Sequence, residues 1–252
     1  MPPETGIVQL VGAGPGPADL LTVRALRAIE GAEALLYDAL VSEEVLSLAP
    51  AGCFKVQTGK RSGRASMAQD TINHLMLRLA RKGLRVVRLK GGDPSVFGRV
   101  GEESGFLKAH GVKTEVIPGV TAACAAAAQF DFPLTHRGLA RRLVFTTARI
   151  EAGQVALDWA AAADQEATLA IYMGRDAAGP LSRALIAAGR PARTPALAVE
   201  SAGRPEARIT AGDLGGLDAL VAGAGDGPLL FVVGEATALA GQKIKRTAAL
   251  AG

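Results

Sequence analysis

The stretch from Arg85 to Glu103, RVVRLKGGDPSVFGRVGEE, constrains this chain more than any other. Its run from Val86 to Leu89 is rich in β-branched residues and too brief for a helix, so it reads as a buried strand. The strand stops at Gly91-Gly92-Asp93-Pro94, where glycine tolerates positive φ and Pro94 removes a donor. Such a loop presents backbone N–H groups and the Asp93 carboxylate at the carboxyl edge of a sheet, which is where open α/β sheets bind ligands. Ser95, Val96, Phe97, Gly98 and Arg99 follow, offering small, apolar and cationic surfaces within a few residues. Taken alone, the same stretch is also compatible with a tight turn and a solvated arginine. A second loop of this kind, Tyr172-Met173-Gly174, favours the ligand reading. A methionine at a strand end suits either a core or a flat ligand.

Taken in order, the chain alternates strands and helices. Ile7 to Val11 runs into Gly12-Ala13-Gly14-Pro15-Gly16-Pro17, a partial dinucleotide fingerprint whose third glycine is replaced by Pro17. Glu33 to Tyr37 forms a strand that delivers Asp38 to its edge, as a hydroxyl acceptor, a base or a solvated acid. Beyond a strand at Cys53 to Val56, Lys60, Arg61 and Arg64 sit between glycines in a loop suited to closing on an anion, or simply solvated. Ser66 and Gln69 make a capping-box pattern ahead of Ile72, Leu75, Met76 and Leu79 at helical spacing. Thr114 to Ile117 is the fifth strand, Thr121 opens an alanine-rich helix, and His136 and Arg137 lie in a loop. In the second half Arg142 to Thr147, Thr168 to Met173, Ala196 to Glu200 and Leu229 to Val233 read as strands. An alanine-rich helix burying Trp159, a glycine-rich link from Gly212 to Gly227 and a loose tail after Ala240 complete it.

This alternation predicts an α/β fold in two domains, 1–139 and 140–252, each a mixed sheet flanked by helices, with the site expected in a cleft between them. At 252 residues neither domain needs a staple. Cys53 and Cys124 are far apart, Cys124 reads as a small core residue among alanines, and three scattered histidines give no metal site. A net charge of +4 suits an anionic partner. With 4% aromatic residues, the chain lacks the stacking side chains that single-strand nucleic-acid grooves interleave with cations, so no nucleic acid is expected. No signal peptide or membrane span is legible, and the cytoplasm is the default expectation.

VGAGPG at 11–16, YDALVS at 37–42, GKRSG at 59–63, VVRLKGGDPSVFGRVGEE at 86–103, VIPGVTAA at 116–123, PLTHRG at 133–138 and YMG at 172–174 together resemble the tetrapyrrole methylases, most closely their uroporphyrinogen-III C-methyltransferase branch. The resemblance implies a two-domain fold that binds S-adenosylmethionine and releases S-adenosylhomocysteine, usually as a homodimer. It places Pro15, Gly91, Gly92, Asp93, Val96, Thr121, Ala122 and Met173 at the cofactor, with backbone contacts from Ala202 and Leu230. It gives acid or base roles to Asp38 and Lys60, and puts Arg99, Arg61, Glu102 and Arg137 near a polycarboxylate tetrapyrrole. The implied reaction is C-methylation of uroporphyrinogen III at C2 and C7, giving precorrin-2 for siroheme or cobalamin. Thr146-Thr147-Ala148-Arg149 and Glu200-Ser201-Ala202-Gly203 depart from the family's usual Thr-Gly-His and Glu-Asn-Gly-Thr, which leaves open a methylase acting on a later precorrin. The partial GAGPG fingerprint leaves a nucleotide-binding oxidoreductase as the remote alternative.

Overall fold

The computed structural model describes residues 6–59, 67–151, 154–156 and 162–240. It divides into two compact units, Met1–Thr121 and Ala122–Gly252.

The first unit is built on β1 (Val8–Gly12), β2 (Ala34–Tyr37), β3 (Phe54–Gln57), β4 (Val86–Lys90) and β5 (Thr114–Ile117), with helices α1 (Val23–Glu30), α2 (Glu43–Ser47), α3 (Gln69–Arg81) and α4 (Val100–Ala109). The strands lie in the order β3-β2-β4-β1-β5, and every pairing is parallel. A parallel sheet is covered on both faces, so its central strands are apolar runs and were legible in the sequence. Val87 and Leu89 pack with Ala25, Ile29, Val45 and Leu46 on one face. Val86 packs on the other with Leu10, Ile72, Met76 and Leu107, which makes Met76 core filling as expected. By the two-residue period of a strand, Arg88 and Lys90 share the face of Val86. Thr22 and Ser42 cap α1 and α2, accepting from Ala25 N at 3.1 Å and Val45 N at 3.3 Å. The expected Ser66–Gln69 capping box lies partly outside the described residues. The N-cap of α3 is Ala68, which offers no side-chain acceptor, and Ser66 lies outside the described residues. The Gln69 amide instead turns to Asn73 and Glu103.

The second unit holds α5 (Ala122–Gln129), β6 (Arg142–Thr147), β7 (Arg149–Glu151), β8 (Gln154–Ala156), β9 (Ala167–Tyr172), α6 (Ala178–Ala187), β10 (Pro195–Glu200), β11 (Arg208–Asp213), α7 (Leu217–Ala222) and β12 (Leu229–Val233). Its main sheet runs β11-β10-β12-β9-β6; β6 and β9 are parallel, and the other pairings are antiparallel. The two expected sheets flanked by helices are therefore present, the first wholly parallel and the second mixed.

Several local expectations give way. The link from Gly212 to Gly227 is not simply glycine-rich coil: it contains the end of β11 and the helix α7. β11 escaped notice because it is an edge strand of half-buried and exposed residues, with no apolar run to mark it. The alanine-rich segment after β6 opens with a β7–β8 hairpin, and Trp159 lies outside the described residues. Helix α5 belongs to the second compact unit, 18 residues ahead of the boundary read from the sequence (121 against 139). Ala123 and Ala126 join Phe132, Leu197 and Val232 in one apolar cluster, and Ala123 N donates to the Tyr172 hydroxyl at 3.2 Å. Cys124 is exposed, not core, because Ala123, Ala125 and Ala126 take the buried positions of that helix. Among the described residues no helix is long and apolar enough to cross a membrane.

Candidate active site

Three loops meet at the carboxyl edge of the first sheet. Ala13 N donates to Lys90 O at 2.8 Å, Gly92 N to Gly14 O at 2.7 Å, and Gly14 N to Gly92 O at 3.2 Å, so the turn after β1 is sewn to the turn after β4. The Asp93 carboxylate ties in the third loop, accepting from Gly119 N at 2.9 Å through Oδ2 while its Oδ1 takes Ser95 N at 2.8 Å and the Ser95 hydroxyl. A Cβ on Gly119 would sit 2.3 Å from Gly92 O, and one on Gly12 would sit 2.6 Å from Gly119 N. Gly92 differs: at φ +69° a Cβ there would meet nothing nearer than Thr121 Cα at 3.8 Å, which leaves an open backbone cradle. These bonds commit the N–H groups of Ala13 and Gly14 within the protein, and a dinucleotide pyrophosphate needs such groups free. The oxidoreductase alternative loses its structural basis there.

A buried charge cluster lies beside these loops, and it was the part sequence reasoning missed. The Arg88 guanidinium donates through Nη2 to Asp38 Oδ1 at 2.6 Å and through Nε to Glu103 Oε1 at 3.2 Å. Lys90 Nζ reaches both oxygens of Glu103 at 3.0 Å, and Gln69 Nε2 adds a bond to Oε1 at 3.1 Å. Glu103 is fully buried, Arg88 and Lys90 nearly so, and Asp38 half-buried. Thr58 at the end of β3 also donates to Asp38 Oδ1, at 3.2 Å. Burial pushes the Lys90 ammonium below its ordinary value, with the neighbouring Arg88 adding to the fall and Glu103 opposing it. Two cations at alternate positions of an otherwise apolar strand were the available signal, since buried lysine and arginine are kept only when paired.

The β4–α4 loop carries the exposed cation. Phe97 and Arg99 both adopt positive φ, 55° and 57°, on either side of Gly98, whose Cβ would lie 2.4 Å from Pro94 O. Non-glycine residues held in that region mark strain of the kind found at functional loops. The Arg99 fork grips Glu102 in two bonds, 2.9 Å from Nε to Oε1 and 2.7 Å from Nη2 to Oε2. That grip holds the Glu102 carboxyl below its usual range. Val96 is half-buried and Thr121 buried nearby in the first unit; Pro15 is half-buried in the β1 turn. Lys60 and Arg61 lie outside the described residues.

In the second unit, Met173 follows β9 with φ 54° and a side chain 66% exposed, so it fills no core. Ala202 is buried between Ser201 and Gly203, both at positive φ, and Leu230 is buried in β12 opposite Tyr172. Ala122 opens α5 half-buried. Arg137 is exposed on a turn closed by His136 and Ala140, each accepting the other's N–H at 2.9 Å. Among the described residues no group of three or more His, Cys, Asp or Glu is placed to hold a metal.

A strand edge that combines a glycine cradle, a half-buried carboxylate on buried cations and a strained loop with an exposed arginine fork can be set against known proteins. Residues 8–218 match the model of the tetrapyrrole (corrin/porphyrin) methylases. The chain belongs to that family. It is 46% identical over 238 residues to a siroheme synthase of Chromobacterium violaceum, covering 94% of this chain and 51% of that one. It thus spans about half the length of the siroheme synthases it matches. Among solved structures it is similar to the uroporphyrin-III C-methyltransferase of Thermus thermophilus complexed with S-adenosylhomocysteine, at 41% identity and TM-score 0.80, covering 93% of this chain and all of that one. A cobalt-precorrin-4 methyltransferase aligns at 28% identity and TM-score 0.81, over 91% of this chain and 95% of that one.

Proposed function

We propose that this chain is an S-adenosylmethionine-dependent methyltransferase that C-methylates uroporphyrinogen III at C2 and C7 in turn, giving precorrin-2 for siroheme or cobalamin synthesis. The observation that carries the reading is the carboxyl edge of the first sheet. It sets an open cradle at Gly92 beside the tethered Asp93 loop and brings the Asp38 carboxylate to the same edge, while the following loop exposes the Arg99 fork, all in a chain similar over its length to a uroporphyrin-III C-methyltransferase.

The cradle fits the cofactor because a glycine backbone without Cβ atoms lets a flat or extended group lie against it. Pro15, Gly91, Gly92, Asp93, Val96 and Thr121 are the first-unit residues assigned to hold S-adenosylmethionine; Ala122, Met173, Ala202 and Leu230 are assigned the same role in the second. When bound, the cofactor supplies an electrophilic methyl with its leaving group attached. The protein's task is then alignment and exclusion of water. Arg99, with Arg61 and Arg137, receives the carboxylates of the macrocycle by fork geometry that lysine cannot copy. Glu102 keeps the Arg99 fork oriented. Asp38, or Lys60, takes the proton that the cationic ring left by methylation must shed. The homodimer and the cytoplasmic setting rest on the family resemblance and sequence default alone.

Anaerobic incubation with enzymatically generated uroporphyrinogen III and methyl-labelled S-adenosylmethionine, followed by mass analysis of the tetrapyrrole, tests the reading. Gain of two methyl groups supports it. Transfer to a later precorrin but not to uroporphyrinogen III would favour the second reading, which the similarity to a cobalt-precorrin-4 methyltransferase motivates.

A further inference from the structure

Asp38 is not a free acid at a strand end. Its Oδ1 accepts from Arg88 Nη2 and from the Thr58 hydroxyl, whereas Oδ2 has no partner among the described residues. Behind it, Arg88 is held through Nε to Glu103 and through Nη1 to Leu89 O at 3.2 Å, and Glu103 is held in turn by Lys90 and Gln69. Every bond of this chain lies within the first unit, on β2, β3, β4, α3 and α4. Breaking such a cluster exposes a buried charge to no partner, so evolution of a purely structural site would have favoured apolar packing of similar volume.

We propose that Arg88, Lys90 and Glu103 are positioning residues, which fix the Asp38 carboxylate by its Oδ1 and leave Oδ2 to accept a proton. The inference rests on the methyl-transfer reading only for the source of that proton. Methylation makes the attacked pyrrole carbon quaternary, so a C–H bond of the neighbouring methylene bridge breaks, its electron pair returns to the cationic ring, and an O–H bond forms on Asp38. The charged groups that face Asp38 are Arg88 directly and Lys90 and Glu103 behind it. Arg99 and Glu102 stand at the start of α4, with Lys60 and Arg61 following Thr58 in sequence.

Charge removal on opposite sides of the cluster makes the test. The Asp38 carboxylate carbon is followed by NMR in protein labelled at aspartate, assigned by its loss in Asp38→Asn, alongside the pH profile of kcat. Arg88→Gln removes the direct cation and is expected to raise both the titration midpoint and the acid limb of kcat by about one pH unit. Glu103→Gln removes an anion from behind Arg88 and is expected to lower both, because aspartates titrate below the range even of buried lysines and Lys90 keeps its charge there. Thr58→Val, which leaves every charge in place and carries little folding risk, should raise them by a fraction of a unit. Binding of S-adenosylhomocysteine should not change. Midpoints that stay fixed, or that move in the same direction for Arg88→Gln and Glu103→Gln, overturn the proposal, as does an acid limb that survives Asp38→Asn. If the wild-type protein transfers no methyl group, the methyl-transfer reading fails, while the NMR titration still decides the positioning.

Discussion

Among the described residues, each unit buries one glutamate, and the two are satisfied in opposite ways. Glu103 in the first unit is neutralised by side chains: Arg88 and Lys90 on β4 and the amide of Gln69. Glu200, at the end of β10 in the second, is held chiefly by backbone, accepting Gly227 N at 2.8 Å and Gly225 N at 3.0 Å, with the Arg175 guanidinium farther off at 3.9 Å. Charge compensated by charge passes along the cluster to the Asp38 carboxylate. Charge compensated mainly by backbone pins the glycine loop ahead of β12. Each unit also offers an exposed non-glycine residue at positive φ after a strand, Arg99 in the first and Met173 in the second.

If this contrast is real, truncating the two glutamates must differ in size. Glu103→Ala leaves Arg88 and Lys90 buried with a partner missing and should cost about 3–5 kcal/mol, read as a fall in the denaturant midpoint. Glu103→Leu combined with Lys90→Met removes the orphaned ammonium as well, and should recover most of the loss. Glu200→Ala should cost only about 2 kcal/mol, the value of hydrogen bonds to a charged acceptor whose donors water can then reach. Equal losses at the two sites would erase the distinction.

The pH dependence sharpens it further. The N–H groups of Gly225 and, next, Gly227 hold the Glu200 carboxyl below its ordinary 4.5. A depressed carboxylate stabilises the fold fully above the unfolded value, and that stability is lost as pH falls through the folded value. Glu200→Gln should therefore be less stable than wild type at neutral pH, with the gap closing below about pH 4.5. A gap unchanged from pH 7 to pH 3 would contradict the backbone-held charge.

The same contrast explains what the sequence could reveal. The first sheet was legible strand by strand, because parallel strands buried on both faces are written as apolar runs. β11 and α7 were not, since an exposed edge strand and a short helix between glycines carry no periodic signal. Asp38 could be placed at a strand end, and Arg99 and Glu102 in the loop and helix that follow β4, by position alone. Arg88, Lys90 and Glu103 were in plain view, yet a cation inside a strand shows its partner only when a helix 15 residues on folds back over it. Their spacing at 88 and 90 was the one clue. Met173 stood undecided between core and ligand because its fate depends on a φ of 54°, which no composition encodes.

Arg99 and Met173 extend the comparison to the exposed residues. Arg99→Lys keeps the charge but loses the two-pronged grip seen on Glu102. Turnover should fall about 10- to 100-fold with S-adenosylhomocysteine affinity unchanged, since misplacing substrate by about an ångström is enough for such a loss. Parallel losses of rate and cofactor affinity would place Arg99 at the cofactor and end its assignment to the substrate.

Met173 should behave in the reverse sense, with the smallest effect on the fold. Its side chain is 66% exposed, so Met173→Ala removes little buried area, and the change in stability should stay within about 0.5 kcal/mol. Alanine is also tolerated at that φ no worse than methionine, so the loop keeps its shape. Any loss of S-adenosylhomocysteine binding must then come from the missing thioether, and calorimetry should show it as roughly a tenfold weaker dissociation constant, the value of one good apolar contact. Unchanged affinity with slowed turnover would move Met173 to the tetrapyrrole, and the second unit would then share in substrate recognition.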